Sequence, residues 1–385
     1  MKGIQDRRAV EADEAARLAP YAVRSGESHG RVHSEPDHPL RTAFQRDRDR
    51  IVHSRAFRRL EYKTQVFIYH EGDHHRNRLT HTLEGSQIAR TIARALRLNE
   101  DLSEAVALAH DLGHTPFGHA GERVLSDCMS SDGGFDHNRQ SLRIVDLLED
   151  RYPNFRGLNL TDETREGILK HGIQWEHPVP VPEQAEQPSL EAQIVDASDE
   201  IAYTNHDLDD GLRSELLDLE SLAEVPLWRE ARERVKSEHR GAVEPVLQAQ
   251  TVRAIINRLV TDLVETSADR LAASGVDSVA AVRATEGRLI AFAPEVAVAK
   301  RELKRFLYQN LYYHPRVRAM SEHGAQILGE LFALFREDPA RLPSHVRDRF
   351  SEDGEARAIA DYAAGMTDRF AMDEHERLLA DHGRS

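Results

Sequence analysis

The sequence predicts a mainly α-helical fold, a helical bundle extended by further C-terminal helices and carrying little sheet. Three observations predict it. Apolar residues recur at helical spacing from about residue 41 to about residue 380. The run TQVFI at 64–68, which reads as an extended turn or strand, is short. The four prolines of PVPVPEQAEQP, 178–188, cannot lie inside a helix and mark an exposed loop between helical stretches. No repeat of 20–50 residues and no heptad sustained over four turns is present, so a bundle is favoured over a solenoid.

Taken in order, residues 1–40 read as a mobile N-terminal arm with no packed core, because 20–40 mix Ser, Gly, Pro and His without period. In RTAFQRDRDRIVHSRAFRRLEYK, 41–63, Arg recurs between Phe44, Ile51, Phe57 and Leu60 at helical spacing, giving a local basic patch. Leu79, Leu83, Ile88, Ile92 and Leu96 place a helix over 78–98. Asn99 and Asp101 supply N-cap chemistry for LSEAVALAHDLG, a mostly apolar helix that stops at Gly113. The TPFG loop follows, and another helix is predicted to begin near His119. SLRIVDLLEDRY, ETREGILKH and SLEAQIVDASDEIAYTNHDLDDG continue the helical period. This divides the chain into the arm, a core over 41–215 and a helical region over 216–385 packed on that core.

Composition narrows function. At 385 residues the chain suits one large domain or two unequal ones. Lys plus Arg number 51 against 66 Asp plus Glu, a net charge of −15, so an anionic ligand needs a local basic patch and a general nucleic-acid coating role is disfavoured. The single Cys128 excludes an intramolecular disulfide and any Cys-rich metal site, which fits a cytoplasmic location. The charged N-terminus has no apolar signal region and no stretch reaches the roughly 20 apolar residues of a membrane span, so a soluble protein without membrane contact is expected. Many of the 21 His crowd between His53 and His137, where metal ligation or proton transfer is the chemistry to seek.

The sharpest feature is HDLGHTPFGHAGE, 110–122. His110 and Asp111 close an apolar helix, and His114, His119 and Glu122 follow across a turn. Imidazole and carboxylate suit a first-row divalent ion. Further ligands must come from elsewhere: His81 and Asp199 each sit on an otherwise apolar helical stretch where an unpaired polar group is costly. Any one of them alone is equally explained by a helix cap or a satisfied hydrogen bond, whereas the set favours a metal. Arg78 lies one turn before His81 on the same face and suits phosphate, with Arg59 and Lys63 as further cations or as parts of a solvated face. His70-Glu71-Gly72-Asp73-His74 fits H-E-x-x-H, but Gly72 in a polar loop argues against the regular helix that zinc-protease use requires. Asn159-Leu160-Thr161 matches a glycosylation pattern that carries no meaning without a secretion signal.

His81, His110-Asp111 and Asp199 resemble the H…HD…D signature of HD-domain metal-dependent phosphohydrolases. More specifically, RTAFQRDRDRIVHSRAFRRLEYKTQVF, RNRLTHTLE, LAHDLGHTPFGHAGE, GGFDHN, IVDASDEIAYTNHDLDDG and FLYQNLYYHPRV, spread over 41–318, resemble in order the deoxyguanosine triphosphate triphosphohydrolase family. The resemblance implies an HD-domain helical bundle that cleaves a dNTP into deoxynucleoside and inorganic triphosphate. It implies one divalent ion on His81, His110, Asp111 and Asp199, with Mn²⁺ or Mg²⁺ favoured and Fe, Co, Ni or Zn open. It implies His119 as general acid with Glu122, His114 on phosphate, and Arg78, Tyr203 and Lys304 as phosphate contacts. Gln65 matches a base-reading position, Tyr312 a nucleoside-packing one, and His137 a histidine near the site. Glu200 departs from the pattern, standing where a vertebrate relative uses a phosphate-binding Lys. Expected partners are the dNTP substrate, an activating nucleotide and further copies of the chain, a hexamer being plausible, with residues 20–60 reaching neighbouring subunits. The alternatives are hydrolysis of a nucleoside monophosphate or guanosine tetraphosphate, and single-stranded nucleic-acid binding by Arg41–Arg59, against which Asp47 and Asp49 count.

Overall fold

A computed structural model describes residues 4–65, 76–170, 175–182 and 185–382. Among these the architecture is helical, with two isolated antiparallel bridges, Arg31 to Thr161 and Thr64 to Asn77, in place of a sheet. Most of the TQVFI run, the H-E-x-x-H match and part of the Pro-rich loop lie outside the described residues.

The N-terminal half comprises α1 (Arg7–Arg17), α2 (Ala43–Val52), α3 (Arg55–Arg59), α4 (Arg78–Ala95), α5 (Glu100–Ala109), α6 (Gly118–Cys128), α7 (His137–Arg143), α8 (Asp162–Leu169) and α9 (Leu190–Arg213). Side-chain caps set several of these starts: Thr42 and Gln45 form a capping box on α2, Asn77 caps α4 and Asn99 caps α5. The stretch read as one helix over 41–63 is split, because the Ser54 hydroxyl accepts from Phe57 N at 3.0 Å and starts α3 afresh. After α9 come α10 (Leu219–Leu222), α11 (Pro226–Glu238), α12 (Glu244–Ser274), α13 (Val279–Arg283), α14 (Pro294–Leu307), α15 (Pro315–Glu337), α16 (Ser344–Arg347), α17 (Phe350–Asp353), α18 (Glu355–Ala364) and α19 (Asp368–His382). No helix of the described residues is long and apolar enough to cross a membrane.

Three apolar clusters hold the helices together. One joins α4, α5 and α9 to α11, α12 and α14; a second joins α6 to α15, α18 and α19; a third joins α3, α5 and α8. The region after 216 is therefore divided between two clusters rather than forming a layer of its own. Helices α4, α5 and α9 pack on one another, and the candidate ligands His81, His110, Asp111 and Asp199 lie on α4, at the end of α5 and on α9.

The expectation of an unpacked N-terminal arm is corrected. Leu18, Ala22 and Val23 are buried in the first cluster. Polar anchors that have no periodic signature complete the docking: Val23 N and Asn99 N both donate to Glu191 Oε1 at 3.0 Å, and Arg31 pairs with buried Asp47. Part of the basic patch is also countered by carboxylates. Arg41 meets Asp49, Arg48 meets Asp101 and Glu104, and Arg46 and Arg50 meet Glu35. Those four arginines offer little free charge to a nucleic acid.

Candidate active site

The His-Asp pair is positioned by the way α5 ends. A Cβ at Gly113 would lie 2.2 Å from His137 O and Ser141 N, so only glycine lets α7 pack against this turn. Ser141 then pins it, accepting from Gly113 N at 2.8 Å and donating to His110 O at 2.8 Å. Beyond the turn, Phe117 and Gly118 both take left-handed backbone conformations (φ +61° and +58°). The strain at Phe117 is held by its buried ring, which packs where a side chain on Gly324 of α15 would clash. This turn launches α6, carrying His119 and Glu122 one helical turn apart.

Four predicted ligands converge. Ligand atoms of His81, His110 and Asp199 all lie within 4.8 Å of one another. His81 Nε2 is 3.1 Å from Asp199 Oδ1 and 3.8 Å from Asp111 Oδ2. His110 Nε2 is 3.1 Å from Asp111 Oδ1 and 3.3 Å from Asp199 Oδ1. The telling atom is His110 Nε2. His110 Nδ1 donates to Ala107 O at 2.7 Å, so in the neutral ring Nε2 is a bare lone pair, buried without a hydrogen bond and faced by two carboxylates. Lone pairs converging in this way require a cation between them, and this donor set fits a divalent metal.

The electrostatics agree. Burial disfavours protonated His110, yet Asp111 and Asp199 overcome it and raise its pKa. Burial would raise both carboxylates, but His110, His114 and Arg78 hold Asp111 well below the usual range, and His110 and Lys170 do the same for Asp199. The Asp199 side chain is 28% exposed, which leaves the cluster an approach from solvent.

At the edge stands a second set. The Glu122 carboxylate joins His119 Nδ1 at 3.2 Å and His137 Nδ1 at 2.7 Å. Despite burial, these rings lower its pKa strongly. The His119 side chain is 54% exposed. His114 is buried, stacks on His137 at 4.3 Å and sits 3.2 Å from Asp111 Oδ1, while its Nδ1 lacks a hydrogen bond among the described residues.

The predicted substrate contacts divide. Arg78 is buried and donates to Asp111 Oδ2 at 3.1 Å. Gln65 is buried beside Gly118, and its side-chain oxygen has no partner among the described residues. Tyr203 stacks on Tyr312, whose hydroxyl donates to Asp207. Lys304 is exposed, 3.5 Å from Glu200. Arg59 is directed elsewhere, donating to Gly365 O at 3.0 Å. Lys63 is buried between His114 O and Ala364 O, and desolvation lowers its pKa to about 7.

Residues 78–204 match the family described as HD domain, and 290–377 match the phosphohydrolase-associated domain. A "Deoxyguanosinetriphosphate triphosphohydrolase-like protein" of Ralstonia pickettii is 53% identical over 94% of this chain and 95% of its own length. Namesakes in Thiobacillus denitrificans and Geobacter metallireducens are 54% identical over 94% of the chain and 97% of the relative, and 46% identical over 100% and 99%. The chain belongs to the deoxyguanosine triphosphate triphosphohydrolase family of HD-domain phosphohydrolases. It is a phosphohydrolase whose His/Asp cluster suits a divalent metal.

For this family member, sequence reasoning missed three residues around the cluster. Lys170 caps α8 at φ +53° and reaches Asp199 Oδ2 at 3.5 Å and Asp196 Oδ1 at 3.7 Å. Lys300 is buried and donates to Glu200 Oε2 at 2.6 Å, so the carboxylate that replaces a phosphate-binding Lys is itself countered by two lysines. His206 contacts His81 directly, Nδ1 to Nδ1, at 3.0 Å. Lys170 and Lys300 lie outside the motif segments and His206, inside IVDASDEIAYTNHDLDDG, was given no role there; the i, i+4 spacing of Lys300 and Lys304 was a further signal. A cavity of about 720 Å³ lies among α8, α9, α12, α14 and residues 288–292. Four carboxylates against three cations line it, which disfavours it as a triphosphate pocket.

Proposed function

We propose that this phosphohydrolase is a metal-dependent dNTP triphosphohydrolase, cleaving at the α-phosphorus to give deoxynucleoside and inorganic triphosphate. The observation that carries the metal is His110 Nε2, bare and buried against Asp111 and Asp199. His81, His110, Asp111 and Asp199 would hold the ion. A divalent ion in such a set polarises a phosphoryl oxygen and makes bound water a better nucleophile, with Mn²⁺ or Mg²⁺ our expectation.

The chain's own groups do the rest. The nucleoside 5′-oxygen is a poor leaving group and needs a proton. His119 is exposed and held through Nδ1 by Glu122, which frees Nε2 to deliver that proton and leaves the Glu122 carboxylate to stabilise the charged ring. His137 occupies the other Glu122 oxygen and fixes its orientation. Arg78 and Lys304 are the cations available to phosphate oxygens, and His114 can donate from Nδ1 only as an imidazolium, because its Nε2 proton goes to Asp111 Oδ1; Tyr203, Tyr312 and Gln65 are the groups available to the nucleoside. The triphosphohydrolase-like names of the relatives support the same reaction.

The test is to incubate metal-stripped protein with each dNTP and with their mixture, with and without Mn²⁺ or Mg²⁺. Nucleoside, triphosphate, pyrophosphate and phosphate are then resolved by ion exchange. Metal-dependent release of deoxynucleoside and intact triphosphate, lost in His119→Ala, is the expected result. Orthophosphate or pyrophosphate as product would mean a different HD phosphohydrolase reaction, and no turnover would overturn the catalytic reading. We further propose a homo-oligomer, which sedimentation velocity measures directly.

A further inference from the structure

The face of His81 that points away from the cluster is tied into a chain of charged groups. His81 Nδ1 lies 3.0 Å from His206 Nδ1, with the two rings edge to face at 89°. His206 Nε2 meets Glu84 Oε2 at 2.7 Å. Arg76 Nε holds the same Glu84 oxygen at 2.8 Å, and Arg76 Nη1 is anchored by Asp209 at 2.7 Å and Asp210 at 2.9 Å. His81 and Glu84 are one turn apart on α4, His206 and both aspartates lie on α9, and Arg76 stands just before the Asn77 cap of α4. The chain therefore fastens the helix bearing one metal candidate to the helix bearing another.

Proton placement follows from the partners. A Glu84 carboxylate bound by Arg76 is an acceptor only, so His206 Nε2 carries the proton between them. Neutral His206 then presents a bare Nδ1. Two ring nitrogens 3.0 Å apart share one proton, so His81 Nδ1 must donate it, which leaves His81 Nε2 a lone pair directed at Asp199 and Asp111. A ligating imidazole has to present that nitrogen to a cation.

We propose that His206, aligned by Glu84 and Arg76, is a positioning residue that sets the tautomer and ring direction of His81 for metal binding. The inference rests on the metal reading above and gives roles to His206, Glu84 and Arg76, which lie inside the motif segments but had none. Glu84 is the more tractable end, because its side chain is 42% exposed and can change without opening the core.

Isothermal titration of metal-stripped protein with Mn²⁺ tests it, alongside thermal melts of the metal-free chains. Wild type should bind one ion per chain. His206→Phe should weaken binding roughly 10- to 100-fold. His206→Gln should recover most of that loss, since its amide oxygen can accept from His81 Nδ1. Glu84→Gln should weaken binding several-fold with an unchanged melt, because an amide can donate to His206 and favour the opposite tautomer. Wild-type affinity in Glu84→Gln and in a folded His206→Phe would overturn the positioning role. Equal losses in His206→Phe and His206→Gln would overturn it too, by showing a packing effect. A wild-type chain that binds no Mn²⁺ would remove the metal reading itself, an outcome distinct from the other two.

Discussion

Two buried charge clusters lie on opposite sides of α7, and they are finished differently. On one side Arg143 grips Asp361 with both prongs, Nε to Oδ1 at 3.0 Å and Nη2 to Oδ2 at 2.7 Å, and reaches Asp353 at 3.1 Å; Arg349 adds a bond to Asp361 at 2.9 Å. The charges there are opposite and the forks match, so the cluster needs nothing more to join α7, α17 and α18. On the other side, His110 Nε2 and two carboxylates face one another with no donor between them. Burial alone therefore does not mark a site. What marks it is a buried set of converging lone pairs that suits a divalent cation.

Asp111→Asn attacks the unfinished cluster. It should reduce turnover at least about 10³-fold while costing little metal-free stability, because the amide oxygen that replaces the carboxylate can still accept from Arg78. Arg143→Met attacks the finished one and should do the reverse. Asp353 and Asp361 then keep only Arg349 among the described residues, at a cost of up to about 3–5 kcal/mol, while Mn²⁺ affinity of the folded fraction stays within about twofold. Chemical denaturation and titration calorimetry read the pair. A destabilised Asp111→Asn with near-normal turnover would erase the contrast.

The same contrast explains what was legible in the sequence. Helix periods and caps are local, so α4, α5, α6 and α9 could be placed from Leu79, Asn99 and the turn around Gly113. The residues that converge, His81, His110, Asp111 and Asp199, were visible as polar residues on apolar stretches and as a motif. What stayed hidden depends on tertiary partners. The arm over 4–40 docks through Asp47, just beyond it, and through Glu191, 168 residues after Val23, and neither contact leaves a periodic trace. Ser54 splits a continuous-looking apolar pattern by one capping bond. Lys170, Lys300 and His206 make their contacts only through Asp199, Glu200 and His81, which tertiary packing brings to them.

Ligand linkage gives the next effect in size. Mn²⁺ at about 100 times its dissociation constant should stabilise wild type by roughly 2.7 kcal/mol, read as a rise in melting temperature that chelator reverses. Arg143→Met should show the same increment on its lower baseline. Asp111→Asn should show little of it. A metal-induced rise undiminished in Asp111→Asn would place the ion elsewhere.

Glu191 shows a third way of finishing a buried carboxylate, by a proton rather than an arginine or a metal. Its Oε1 accepts from Val23 N and Asn99 N, its Oε2 has no partner among the described residues, and burial pushes its pKa up to about 7. A carboxyl raised on folding gives stability that is complete below its unfolded value near 4.5 and is lost as pH rises through about 7. Between about pH 6 and pH 8 the loss should be roughly 1.4 kcal/mol, concentrated where the N-terminal segment docks. Glu191→Gln keeps an acceptor for both backbone donors but cannot ionise, so its stability should fall less across that interval. Hydrogen exchange at Val23 and Asn99 locates the effect: faster exchange at the higher pH in wild type, after correction for the intrinsic rate, and little change in the variant. An identical pH dependence in the two proteins would show that Glu191 is already ionised when folded.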